Sequence, residues 1–206
     1  MRHFVRLFAA AALALSFSQA SAVPLANGVI LDGTTFGTDN SFQFTNTSTS
    51  GEQIVSILWD LAPINGFFDV TTANPGNSPS GPSVSGTTSA MSWSFPAPSV
   101  LDGSSLLQIN FAGFDAGETF IFGVDTDLFS SIDAFGIEGT QFIGATATAV
   151  FSDGTATQGT YVASSQPGIG VEVDIVNVVP NPVPAPAALF LLGAGLIGMG
   201  VLRRRA

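Results

Sequence analysis

The chain has no cysteine and no lysine, and its single histidine is the third residue. Without cysteine there is no disulfide, no thiolate metal site, no thiol nucleophile and no lipid-modified N-terminal Cys. Positive charge is almost as scarce. The five basic residues are Arg2, Arg6, Arg203, Arg204 and Arg205, so residues 23–202 hold no cationic side chain against fifteen carboxylates. That stretch cannot build an internal salt bridge, and its field repels nucleic acid and anionic headgroups. Most catalytic machinery is missing too. A Ser-His-Asp triad, a zinc–histidine site and a phosphate-binding loop with its lysine all need residues the stretch lacks. A carboxylate pair of the glycosidase kind remains. Fifteen acids always include some pair at suitable spacing, so that signal decides nothing, and no enzyme is expected.

The N-terminus carries what the middle lacks. Arg2, His3 and Arg6 form a positive region, residues 7–17 an apolar run, and Ala20-Ser21-Ala22 the small residues that signal peptidase requires. Residues 1–22 therefore read as a signal-peptide helix, cut after Ala22. The chain is expected to pass through an inner membrane.

At the other end, Gly193, Gly195 and Gly198 have the spacing of a dinucleotide fingerprint. Such a fingerprint needs a strand before it and a helix after it within a βαβ unit. Pro180, Pro182, Pro184 and Pro186 precede it and forbid a central strand, and only eight residues follow Gly198. The glycines belong instead to an apolar run, residues 187–202. As a helix it spans roughly 24 Å, slightly short of a hydrocarbon core of about 30 Å. Arginine snorkelling and flanking residues close the gap. Arg203, Arg204 and Arg205 form a positive-inside stop at residues 203–206. A C-terminal transmembrane helix is expected.

"PVPAPAALFLLGAGLIGMGVLRRRA" resembles a PEP-CTERM sorting segment of the Val-Pro-x-Pro-Ala type, with Val183, Pro184 and Pro186 in the motif. Pro184-Ala185-Pro186 stands where the commonest form has Pro-Glu-Pro. Gly193, Gly195, Gly198, Arg203, Arg204 and Arg205 match the glycine-rich helix and the terminal arginines. The resemblance implies a Gram-negative exported protein, handled by an exosortase-type sorting enzyme in the inner membrane and directed to the envelope or an exopolysaccharide-rich matrix.

Residues 23–178 are then a passenger domain, joined to the helix by a Pro-rich linker, residues 179–186. No helical periodicity occurs from residue 27 to residue 178. Short alternating runs recur instead: "SFQFTNT", "QIVSILWDL", "FFDVTT", "SAMSWSF", "SLLQINFAGF", "ETFIFGVD" and "GVEVDIVNV". "TQFIGATATAVFSDGTATQGTYVA" reads as a hairpin turning at Asp153-Gly154. Nine or ten strands predict an all-β domain, a jelly-roll-like β-sandwich. Met91, Trp93 and Phe95 are expected on one inward face, and the Gly/Pro/Ser-rich residues 74–89 as a loop.

The densest acids lie in "FDAGETFIFGVDTDLFSSIDAFGIEG". Asp125 and Asp127, with Asp133 beyond them, offer the hard oxygen ligands of a structural Ca²⁺. The spacing is not an EF-hand, because Phe129 and Gly136 occupy ligand positions five and twelve. The same acids also suit a solvated loop. No other cofactor is expected. The function expected is interaction or adhesion. The alternatives are a carbohydrate-binding module for exopolysaccharide, which needs exposed Trp or Tyr, and a secreted carboxylate-pair hydrolase.

Overall fold

A computed structural model of the chain describes residues 24–73, 79–86, 91–132 and 135–178. The signal segment with Ala20 and Ala22, the sorting motif with Val183, Pro184 and Pro186, the glycine-rich run and the terminal arginines lie outside the described residues.

The described residues form an all-β, antiparallel structure. Its strands are β1 (Ala26–Leu31), β2 (Phe42–Asn46), β3 (Ile54–Asp60), β4 (Gly66–Phe68), β5 (Ser83–Val84), β6 (Ser92–Ser94) and β7 (Leu106–Phe114). They continue as β8 (Thr119–Gly123), β9 (Thr126–Leu128), β10 (Thr146–Phe151), β11 (Ala156–Thr160), β12 (Val162–Ala163), β13 (Ile169–Ile175) and β14 (Asn177–Val178). One six-stranded sheet has the order β12-β13-β1-β2-β8-β5, and the other β14-β11-β10-β3-β7-β6. β4 and β9 form a separate two-stranded ribbon.

Period-two alternation sets which side chains turn inward. Phe42 and Phe44 of β2 are buried, as are Ala147, Ala149 and Phe151 of β10. On β7, Leu107, Ile109 and Phe111 turn inward, and then the phase slips. The register runs from Ser56↔Asn110 to Ile54↔Phe114, so β7 uses four residues where β3 uses two. Gly113 lies in that irregularity at φ +74, a conformation that a β-carbon disfavours. The slip returns Phe114 to the core.

Both sheets contribute to one core. Trp59 of β3 meets Phe44 at 5.5 Å and Phe122 at 5.1 Å between ring centroids, both rings coming from the facing sheet. Each such pair adds about 0.5–1.5 kcal/mol beyond the area it buries. The Trp59 Nε1–H donates to the Tyr161 hydroxyl at 3.0 Å, so both polar tips are satisfied inside the core.

Three segments depart from the sequence expectation. Met91 is buried and Phe95 packs on the core as expected, and the Trp93 ring leans on Phe120 at 5.5 Å, yet Trp93 stays 38% exposed because β6 is an edge strand beside β7 alone. Residues 74–89 include a short strand, β5, which pairs with β8. β1, which the alternating runs did not include, lies inside its sheet between β13 and β2.

Candidate functional site: a buried carboxylate cluster

The β4–β9 ribbon and the residue beyond each strand bring three aspartates together. Its register is Gly66↔Leu128, Phe67↔Asp127 and Phe68↔Thr126. One more step places Asp69 opposite Asp125, and the Asp69 N–H donates to the Asp125 carbonyl at 3.1 Å. Alternate residues share a face, which sets Asp69, Asp125 and Asp127 together with Phe67. Phe68 turns the other way into the main core.

All three aspartates are fully buried. Neither carboxylate oxygen of Asp69, and neither of Asp125, has a hydrogen-bond partner. An ionised carboxylate removed from water without a partner is among the costliest groups a fold can hold. Its proton affinity rises accordingly. Burial, then the neighbouring charges of Asp127 and Asp69, push Asp125 from 3.8 up to about 7. The backbone amides of Thr126 and Ser80 lie near enough to offset part of that rise without reaching hydrogen-bond geometry. Burial, then Asp127 and Asp102, push Asp69 from 3.8 up to about 6.

Asp102 is near them but is used differently. Its Oδ1 accepts from the Val70 and Thr71 amides, both at 2.9 Å, and its Oδ2 from the Thr71 hydroxyl at 2.6 Å. It therefore fixes the chain directly after Asp69. On the other side, Gly136 sits at φ +66, where a Cβ would lie 2.5 Å from Asp125 Oδ1 and 2.7 Å from Thr35 Oγ1. Thr35 Oγ1 is 2.8 Å from Thr126 Oγ1 and donates to the Ile137 carbonyl at 3.2 Å. Phe67 stacks on the half-exposed Phe129 at 4.5 Å and covers the ribbon from outside.

The structure thus unites Asp125 and Asp127 and overturns the solvated-loop reading for both. Asp133 lies outside the described residues. The remaining acids of the dense run point elsewhere. Asp115 accepts from Gln53 Nε2 at the surface, and Glu138 caps a short 3-10 turn, Gly139–Phe142. Sequence reasoning missed Asp69. Its signal was an acid set inside the apolar run "FFDV", where a solvent-facing strand residue was the simpler assumption. Among the described residues, no three acidic side chains stand close enough together to hold a metal ion as the structure has them.

At the surface, an open groove of about 240 Å³ runs along β6 and β7, lined by Ser92, Trp93, Ser94, Asn110, Phe111 and Ala112. It contains no carboxylate. Trp59 and Tyr161, the other aromatics with a polar handle, are buried.

The fold and the cluster define an all-β protein with an internal acidic site. No family model, curated protein or solved structure matches the chain.

Proposed function

We propose that this chain is an exported, non-enzymatic envelope or extracellular-matrix protein, sorted by its C-terminal segment and acting through interaction or adhesion. One observation carries the reading: every cationic side chain sits in a terminal segment whose pattern suits membrane handling, and none lies between. In that reading signal peptidase cuts after Ala22, and an exosortase-type enzyme recognises the motif around Pro184 and Pro186. Helix 187–202 holds the protein at the inner membrane until then. Among the described residues no helix is long and apolar enough to cross a membrane; both proposed membrane segments lie outside them. We read the two large sheets as a β-sandwich related to the jelly roll. The β1–β2 and β10–β11 hairpins stay within a sheet, and the chain changes sheet between β2 and β3 and between β7 and β8.

Reporter fusions test the topology. A periplasmic reporter fused at Pro180 is expected to be active, and a cytoplasmic reporter fused at Ala206 is expected to be active as well. Cytoplasmic activity at both positions would overturn the proposal.

Exopolysaccharide binding is a second reading, and the half-exposed Trp93 in its groove favours it. Flanking serines and Asn110 supply hydroxyl and amide partners of the kind sugars use. It is weakened by the burial of Trp59 and Tyr161, which leaves a single stacking platform in the groove. A glycan array with the full chain in detergent tests it; a signal that survives Trp93→Ala assigns any binding elsewhere.

A further inference from the structure

We propose that Asp69 and Asp125, facing each other across the β4–β9 ribbon with Asp127 beside them, form an internal Ca²⁺ site. The inference concerns the passenger domain alone, so it stands or falls independently of the sorting reading.

Two observations meet here. The first is the pairing: the register sets two carboxylates opposite one another on neighbouring backbones, with a third on the same face. Directly opposed residues in an antiparallel pair have Cβ atoms about 4.5–5.5 Å apart, so their carboxylates reach a common ion. The second is that all four oxygens of Asp69 and Asp125 are buried and without a hydrogen-bond partner. A fold seldom leaves such atoms idle. No lysine or arginine between residues 23 and 202 can serve as counter-ion, so the ionised pair can be compensated only from solution, by protons at low pH or by a cation above it.

The donors select the ion. The domain has no His and no Cys, and every ligand at this place is oxygen, which excludes the softer transition metals and leaves hard cations. Ca²⁺ takes six to eight oxygens in a tolerant geometry. Two bidentate carboxylates supply four. The Thr35 hydroxyl beside Asp125, backbone carbonyls and water are the neutral oxygens available for the rest. Mg²⁺ demands a regular octahedron and keeps its water, which a fully buried pair of carboxylates on neighbouring strands serves badly. As the structure stands these side chains do not converge on one point, so binding requires the carboxylates to rotate towards the ion, and their mutual repulsion when ionised opposes that without one. A divalent ion reverses that sign and draws them in.

The site differs from the one expected of Asp125, Asp127 and Asp133 by its central ligand, Asp69. That difference gives the test. The full chain is purified in detergent, stripped with chelator and dialysed against radioactive Ca²⁺ in NaCl at physiological ionic strength. One ion per chain is expected, with a dissociation constant of about 0.1–1 mM, as in extracellular modules. Asp69→Asn and Asp125→Asn, each tested singly, are expected to weaken binding at least about tenfold. The surface variant Asp115→Asn should leave binding unchanged. Folding is monitored in the same samples. Asparagine keeps the shape and removes an unpartnered charge, so in chelator both variants should melt at or above the wild-type temperature. Ca²⁺ should raise melting in the wild type beyond a NaCl control of equal ionic strength, and in neither variant. Absence of stoichiometric binding by the wild type overturns the proposal. So does wild-type affinity in Asp69→Asn.

Discussion

Asp69 and Asp125 tie the stability of the folded chain to pH whenever no cation is supplied. Both folded-state values, about 6 and about 7, lie above the ordinary 3.8. The folded chain therefore holds protons that the unfolded chain releases. The contribution of this pair to stability is fully present below about pH 4. It is lost as pH rises through 6 and then 7, by an amount on the order of a few kcal/mol. In chelator the melting temperature is thus expected to fall between about pH 4 and about pH 8, and the fall should flatten in the Asp69→Asn, Asp125→Asn double variant. An equally steep fall in that variant would assign the effect to the other carboxylates. The Trp59–Tyr161 contact makes a second residue-scale prediction. Tyr161→Phe removes the acceptor of a fully buried indole N–H. The expected loss is about 1–3 kcal/mol in denaturant melts, whereas Trp59→Phe should cost more, because a large ring is deleted from the meeting point of both sheets.

At the scale of elements, the β10–β11 hairpin shows local sequence deciding local structure. Asp153 Oδ1 accepts from the Thr155 amide at 2.8 Å and Oδ2 from the Thr155 hydroxyl at 2.9 Å, while Gly154 takes φ +84. Gly154→Ala meets open space, so its penalty is backbone strain alone, about 1–2 kcal/mol. Gly28→Ala in the middle of β1 tests a different cause. Its φ is ordinary, but a Cβ would lie 2.9 Å from the Phe44 ring and 3.2 Å from the Tyr161 hydroxyl. Thermal melts should show the Gly28 variant losing at least as much as the Gly154 variant. A neutral Gly28→Ala would mean that the Phe44 ring gives way freely. This contrast explains what the sequence made legible. Alternation and turn residues are local, and they announced β2, β3, β7 and the β10–β11 hairpin. β1 reads "ANGVIL", with glycine at an inward position, because Phe44 of β2 and Tyr161, from the link between β11 and β12, fill that space. Trp93 alternates as an inward residue would, yet only the sheet order makes β6 an edge. The candidate site was half legible for the same reason. Asp125 and Asp127 are neighbours in sequence, whereas Asp69 joins them only through a strand pairing across some sixty residues.

At the scale of the whole molecule, charge is segregated by segment. Fifteen carboxylates lie in the stretch that contains no cation, and the five arginines lie in the two segments expected to be removed. If both are removed, the mature protein carries no lysine or arginine. It then has no trypsin site even when denatured, whereas the unprocessed precursor keeps sites only near its two ends. Processing is therefore best read with enzymes that cut at acidic or aromatic residues. In the envelope fraction, mass spectrometry after such digestion should find no peptide reaching Leu202, and isoelectric focusing should place the protein acidic of its precursor. Pro184→Ala combined with Pro186→Ala removes the two rigid residues of the motif that the sorting enzyme is proposed to read. That variant should accumulate uncut at the inner membrane, with its arginines retained and its migration less acidic. Because the substitutions lie outside the β domain, the domain should melt as in the wild type, so the accumulation cannot be ascribed to misfolding. Wild-type envelope protein carrying an intact tail would make residues 187–206 a permanent anchor and end the sorting reading, while leaving the carboxylate cluster and its calcium test untouched.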